Sequence, residues 1–223
     1  MLGGIIVTKT ITVKGVGKVS VKPDYVVVSL ALESKDKEYE KAMNIANEQM
    51  DRLNKTLSDI GFEKEDLKTT NFNVRTNYES KRDSEDNYKQ IFAGYLVMHD
   101  LKVSFDFDME KLAKTLSAIS KCISKPNLSI RFTVKDPDAV NEELLVSATK
   151  NAKRKAKTLC KAANVKLGEL KKIDYNWGQL NIYSDTSYDI EYKVLSAERE
   201  SNIEIVPDDI NASDTATFVW EIK

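Results

Sequence analysis

Residues 25–61 read YVVVSLALESKDKEYEKAMNIANEQMDRLNKTLSDIG, and inside this run the apolar spacing changes its period. Val26, Val28, Leu30 and Leu32 alternate with their neighbours, which sets them on one face of a strand running from Tyr25 to Glu33. Tyr39, Ala42, Met43, Ala46, Met50, Leu53, Leu57 and Ile60 then recur at steps of three and four. That spacing gathers them on one stripe of a helix, with Lys, Glu, Asn and Asp opposite. Ser34 or Asp36 is placed to cap the helix start, and Gly61 to end it in a left-handed conformation. An amphipathic helix directly after a strand needs a sheet face to receive its stripe.

The same two periods organise the rest. Upstream, Ile11 and Val13 alternate with polar residues, as do Val19 and Val21; Gly15-Val16-Gly17 between them reads as a turn, and Pro23-Asp24 ends the second strand. Downstream, Leu67 to Asn77 is extended, and Tyr78 to Gln90 is a charged stretch without periodicity, read as a solvated loop. Ile91 to Phe107 is a long strand with Tyr95, Val97, His99, Leu101, Val103 and Phe105 on one face, so the two long strands form an extended hairpin. Met109, Leu112, Ala113, Leu116, Ile119 and Ile123 mark a second helix, stopped by Lys125-Pro126-Asn127. A short strand follows from Leu128 to Val134. Asp136-Pro137-Asp138 opens a third helix whose core stripe is Val140, Leu144, Ala148, Ala152, Ala156, Leu159 and Ala163. Leu170 to Trp177 reads as a strand, and residues 178–214 as an irregular acid-rich loop or an unplaced hairpin. A closing strand from Thr215 carries Ala216, Phe218, Trp220 and Ile222 on one side. The order ββ-α-ββ-α-β-α-β-β gives an α+β fold of antiparallel or mixed sheets with three helices packed on them. It forms one domain over residues 1–223, or two intimately packed α/β subdomains.

Composition narrows the function classes. At 223 residues, with 41% hydrophobic and 31% charged residues, the chain can bury a core. Lys+Arg 34 against Asp+Glu 35 leaves a formal charge of −1, so any attraction to nucleic acid or membrane has to come from local patches. Cys122 and Cys160 lie in separate helical patterns and make neither a disulfide framework nor, without neighbouring histidines, a zinc site. The run Met1 to Lys9 has no basic leader and its apolar stretch breaks at Thr8, and nothing approaches a membrane span. Cytoplasmic placement is the expectation, with a periplasmic or secreted protein the alternative if a leader has been removed.

The residues of catalysis are sparse. The single histidine, His99, shares a face with Val97, Leu101 and Val103 and reads as a core or interface imidazole with one satisfied partner. There is no G-x-S-x-G elbow, Walker loop, H-E-x-x-H or EF-hand pattern. Gly15-Val16-Gly17 lacks the third glycine and the helix start that a dinucleotide loop needs. Acidic groupings such as Asp83/Glu85/Asp86 and Asp208/Asp209 sit in segments that read as solvated, and none is singled out as a pair. No catalytic residue, metal ligand or cofactor site is expected.

One charge pattern rises above the background. Between Glu143 and Glu169 there is no acid, while Lys150, Lys153, Arg154, Lys157 and Lys161 recur at i, i+3, i+4, i+7 and i+11 on the third helix. The stripe is a solvated face, a track for phosphates or anionic lipid, or a partner for the nine acids of residues 185–214, met within the fold or across subunits. Interleaved aromatics of the kind that stack bases are missing.

Taken together, these segments resemble the SIMPL domain family of bacterial proteins, which includes periplasmic immunogenic antigens and stress-associated proteins. The resemblance runs from Ile11 to Lys223. It rests on Gly15 and Gly17, then Pro23-Asp24 before a valine-rich strand, and on Gly61-Phe62 followed by Asp66, Thr69, Phe72 and Tyr78. Gly94-Tyr95 opens the next strand, and Asp136-Pro137 with the alanine-spaced helix, then Pro207, complete the pattern. Thr76 stands where a proline is common, and His99 where a small polar residue is common. The resemblance implies an α+β protomer that assembles into rings or larger homo-oligomers, with no catalytic residues to carry over. The leading expectation is therefore a non-enzymatic, self-associating protein with itself as partner, tied by the resemblance to stress. An anion-binding module using the Lys150 to Lys161 stripe is the alternative. The third reading is an unrecognised hydrolase with carboxylates converging in a pocket near His99 or Tyr95.

Overall fold

The computed structural model describes residues 9–82, 87–122, 127–176, 180, 182–190 and 205–223. In chain order the elements are β1 (Thr10–Val21), β2 (Tyr25–Asp36), α1 (Tyr39–Ser58), β3 (Lys68–Arg82), β4 (Tyr88–Asp106), α2 (Met109–Lys121) and β5 (Asn127–Thr133). Then come α3 (Pro137–Ala162), β6 (Leu167–Asp174), β7 (Tyr183–Ile190) and β8 (Ile210–Ile222). The strands form one sheet ordered β1-β8-β6 and one ordered β3-β4-β2-β5-β7. The pairs β1–β8, β6–β8, β3–β4, β2–β4 and β2–β5 all run antiparallel. This is the expected α+β fold.

The chain divides into two compact units. The first holds β1, α3, β6 and β8. Its closing strand β8 is central, flanked by β1 and β6, and buries Ala216, Phe218 and Trp220. These side chains pack with Val13, Ala152 and Ala156, while Val19, Val140, Leu144, Ile182 and Ile210 form a neighbouring cluster. The second unit holds β2 to β5 with α1 and α2. Val26, Val28, Leu30 and Leu32 meet Leu101, Val103, Phe105, Ile130 and Phe132 from the sheet and Leu53, Leu57, Leu112 and Ile119 from the helices. Burying one such side chain contributes roughly 1.5–3 kcal/mol, so this cluster dominates the unit's cohesion.

Several sequence expectations shift. Gly15-Val16-Gly17 is no turn: β1 passes straight through it, because neighbouring strand β8 pairs with it from Thr10 to Val21. β2 continues to Asp36, so Ser34 is a strand residue whose Oγ donates to Gln49 Oε1 at 2.9 Å. Asp36 Oδ1 instead accepts from the Glu38 N–H at 2.9 Å, just before the helix. Gly61 does end that helix region, with φ at +93°. Tyr78–Arg82 and Tyr88–Gln90 are strand, not loop, held by a register that runs to the pair Arg82↔Tyr88. On α2, Thr115 is buried and Ala113 exposed, the reverse of the apolar reading. Thr115 tolerates burial because its hydroxyl donates to the Lys111 carbonyl at 2.7 Å. On α3 the buried row advances by fours to Cys160, leaving Leu159 50% exposed and Ala163 exposed. β7 lies in the segment read as irregular; its sequence YSDTSYDI carries no apolar alternation to announce it. The expected positions Ile123, Lys125-Pro126, Trp177, Asp83, Glu85 and Asp86 lie outside the described residues.

Candidate functional site

The first place where chain geometry becomes unusual is the contact of β1 with α3. A Cβ on Gly15 would overlap the Ala148 carbonyl oxygen and approach Ala152 Cβ to 2.9 Å. One on Gly17 would overlap the Leu144 carbonyl oxygen. The two glycines and the alanine row of α3 therefore let backbone pack directly on backbone. The same closeness lets α3 cover the outer edge of β1. Asn151 Oδ1 accepts from the Val16 N–H at 3.1 Å, and Ser147 Oγ accepts from the Lys18 N–H at 3.1 Å and donates to the Lys18 carbonyl at 3.2 Å. Lys155 Nζ donates to the Lys14 carbonyl at 3.0 Å. Ser147, Asn151 and Lys155 stand four residues apart on one helix face, so they satisfy a strand edge that would otherwise be open to pairing.

The basic stripe lies beside this seam. Lys150, Lys153, Arg154, Lys157 and Lys161 are all exposed on α3, and none of them is ion-paired among the described residues. The structure divides them: Lys150 and Arg154 line a cleft of about 490 Å³ with Val16, Lys18, Ser147 and Asn151, and Lys153, Lys157 and Lys161 do not. Lys18 on β1 is the cation that helix periodicity alone could not bring in. Four of the acids weighed against the stripe, Glu191, Glu198, Glu200 and Glu204, lie outside the described residues. Asp185, Asp189, Asp208 and Asp209 are exposed, and Asp214 accepts from the Tyr175 hydroxyl at 2.8 Å.

The second unusual place is the β3–β4 hairpin. β2 pairs with β4 only from Tyr95 to Asp106, so beyond Gly94 the hairpin continues as an arm made of its own two strands. Gly94 sits at this departure with φ at +121°, and a Cβ there would overlap the Asp36 carbonyl oxygen. Tyr78, Tyr88, Ile91 and Phe92 are all more than 45% exposed on the arm. Tyr39, Tyr95, Phe92 and Tyr78 form a chain of edge-to-face contacts, with centroids 5.6, 5.5 and 5.9 Å apart. β3 is also an outermost strand of its sheet, with no strand paired to its free edge among the described residues.

The remaining positions carried over from sequence take structural roles. Pro23 is buried, and Asp24 donates its N–H to the Thr133 carbonyl at 3.1 Å and accepts from the Phe107 N–H at 2.8 Å. Asp66 accepts from the Glu63 N–H at 2.9 Å in a short helical turn, Lys64–Asp66. Thr69 and Phe72 converge on His99: Thr69 Oγ1 lies 2.9 Å from Nε2, and the Phe72 ring meets the imidazole edge-on at 5.0 Å. A groove of about 430 Å³ is lined by Ser29, Thr70, Asp100, Ser129 and Asp189, but not by His99. Asp100 Oδ2 accepts there from Asn71 Nδ2 at 3.0 Å. No group of three or more His, Cys, Asp and Glu side chains poised to hold a metal occurs among the described residues. Cys122 and Cys160 are both buried free thiols.

Burial holds the His99 pKa below its ordinary value, against an opposing pull from Asp100. The folded state therefore binds this proton more weakly than the unfolded chain does. The stability that His99 contributes is present above the ordinary imidazole pKa of about 6.5 and is lost as the pH falls below it. Wild-type protein should lose thermal stability more steeply than His99→Gln as the pH is lowered below about 6.5, as read by melting temperature.

The pattern of these positions extends to the sequence as a whole. The family model named SIMPL, described as a protein of unknown function (DUF541), matches residues 11–220. The chain belongs to the SIMPL family. It is 28% identical over 163 residues to the 26 kDa periplasmic immunogenic protein of Brucella melitensis biotype 1. It is equally similar to the protein of the same name from Brucella abortus strain S19. Each match covers 73% of this chain and 65% of the relative, so the alignment spans just under two thirds of the relatives' length. Their names place both relatives in the periplasm, which overturns the cytoplasmic expectation. No helix of the described SIMPL fold is long and apolar enough to cross a membrane.

Proposed function

We propose that this SIMPL chain is a non-catalytic, self-associating protein of the bacterial periplasm, and that copies join through the free edge of β3. The uncovered edge of β3, the longest of the four marginal strands β1, β3, β6 and β7, carries this reading. β1 also lies at a sheet margin, yet α3 occupies its outward N–H and C=O groups with three side chains; β3 has no such cover among the described residues. An open edge of this length is a template for another strand.

A second copy suits that edge by charge. The irregularities of the hairpin fall at Thr70 on β3 and at Ala93 on β4, so β3 runs unbroken from Asn71 to Arg82. Antiparallel pairing of two β3 strands centred on Asn77 sets Arg75 of each copy opposite Glu79 of the other, and Phe72 opposite Arg82. Neither Arg75 nor Glu79 has an ion-pair partner among the described residues. The periplasmic placement follows the names of the Brucella relatives.

Light scattering coupled to size separation tests the reading. At micromolar concentration the mass should be a multiple of the 25.2 kDa protomer. A mass of one protomer throughout that range rejects it.

A further inference from the structure

We propose that the cleft where α3 meets β1 binds a phosphate group, independently of self-association. Three cations converge on it from two elements, Lys18 from β1 with Lys150 and Arg154 from α3, and no carboxylate lines it. None of the three side chains has an ion pair or hydrogen bond among the described residues. The other polar groups of the cleft are already oriented by the strand edge. Ser147 uses its hydroxyl both to accept from and to donate to Lys18 backbone. Asn151 is fixed by the Val16 N–H on its Oδ1, which leaves its Nδ2 a donor without a partner among the described residues. The free polar groups of the cleft are thus donors and cations only. The guanidinium fork of Arg154 matches two oxygens of a tetrahedral oxyanion, and the two ammonium groups neutralise the remaining charge. At about 490 Å³ the cleft admits a phosphate that is part of a larger molecule, such as a pyrophosphate or a phosphodiester headgroup.

This goes beyond a charged helix face, because it assigns different roles to residues that share the stripe. Lys150 and Arg154 belong to the cleft, while Lys157 is equally exposed on the same helix but does not line it. The decisive variant is Asn151→Asp. It keeps an oxygen to accept the Val16 N–H, so the strand edge stays covered, but it replaces the free donor with a negative charge.

The test is titration of the full chain with sodium pyrophosphate at low ionic strength, read by calorimetry and by the ³¹P resonance. Unilamellar vesicles of phosphatidylcholine with and without phosphatidylglycerol are assayed in parallel. Wild-type protein should bind pyrophosphate, phosphatidylglycerol vesicles, or both, and which of them binds identifies a soluble phosphate or a lipid headgroup as the source. Asn151→Asp and Arg154→Gln should each weaken that binding at least tenfold with an unchanged melting temperature. Lys157→Gln should change it less than twofold. Equal losses for Lys157→Gln and Arg154→Gln would reduce the effect to diffuse attraction by the stripe and overturn the proposal. So would wild-type protein that binds neither probe.

Discussion

Gly17→Ala is expected to cost about 3 kcal/mol or more, the upper end of what overpacking costs in a protein interior. The added methyl would lie against the Leu144 carbonyl oxygen, and the Ala148 backbone nitrogen would stand only 3.1 Å from it. Both are main-chain atoms of a helix, so no rotamer change makes room. Either α3 lifts from the sheet or β1 leaves β8, and each route disturbs the contacts of Val13, Ala152, Ala156 and Phe218. Gly15→Ala should behave alike, since its Cβ would overlap the Ala148 carbonyl. Gly168→Ala serves as the comparison: its Cβ would meet Glu221 Cβ and backbone oxygen at 3.0 Å, which a shift of a few tenths of an ångström relieves, whereas at Gly17 the overlap is outright. Urea titrations should show large losses at Gly15 and Gly17 and a loss of about 1 kcal/mol or less at Gly168. A Gly17→Ala protein with wild-type midpoint would mean that helix and strand are not packed this closely.

Arg75→Glu is expected to disperse the assembly. In the proposed pairing the substitution sets a new carboxylate opposite Glu79 twice, by the two-fold symmetry of the contact. Like charges facing each other across strands are destabilising, and over two such pairs the dissociation constant should rise on the order of a hundredfold. Glu79→Arg should do the same from the other side. The double exchange, Arg75→Glu with Glu79→Arg, rebuilds both opposite-charge pairs with their polarity reversed and should restore the wild-type mass. Sedimentation or light scattering at matched concentrations reads all four proteins. Both residues are exposed, so the fold should be unaffected, which circular dichroism can verify. If the single variants assemble as wild type does, β3 is not the contact, even where the protein is oligomeric.

The core-facing side of the most strongly patterned elements was legible in the amino-acid order. Val26, Val28, Leu30 and Leu32 are buried together, as their alternation requires, and Leu53 and Leu57 close the helix stripe onto them. Ala216, Phe218 and Trp220 share one side of their strand by the same alternation, and they are buried in the middle of a sheet. Where local spacing misled, its signal was weak or ambiguous. Glycine spacing suggests a turn when it is viewed in isolation, but at Gly15 and Gly17 it records the approach of a helix more than 120 positions away. β7 and the outer arm of the hairpin carry polar side chains on both faces, so no alternation marks them as strands.

Which side chains share a face follows from backbone period over a few consecutive residues, and the order of amino acids settled it for β2, α1 and β8, though not for every position of α2 and α3. Family membership was settled the same way, through motifs spread from Ile11 onward. Which strand edges are covered, and which cations gather in one cleft, had to await the folded chain. Covering the β1 edge depends on a hydrogen bond between Val16 and Asn151, 135 residues apart. Lys18 likewise joins Lys150 and Arg154 only because the chain folds back on itself. Contacts at that separation leave no periodic trace, so only their positions in space reveal them.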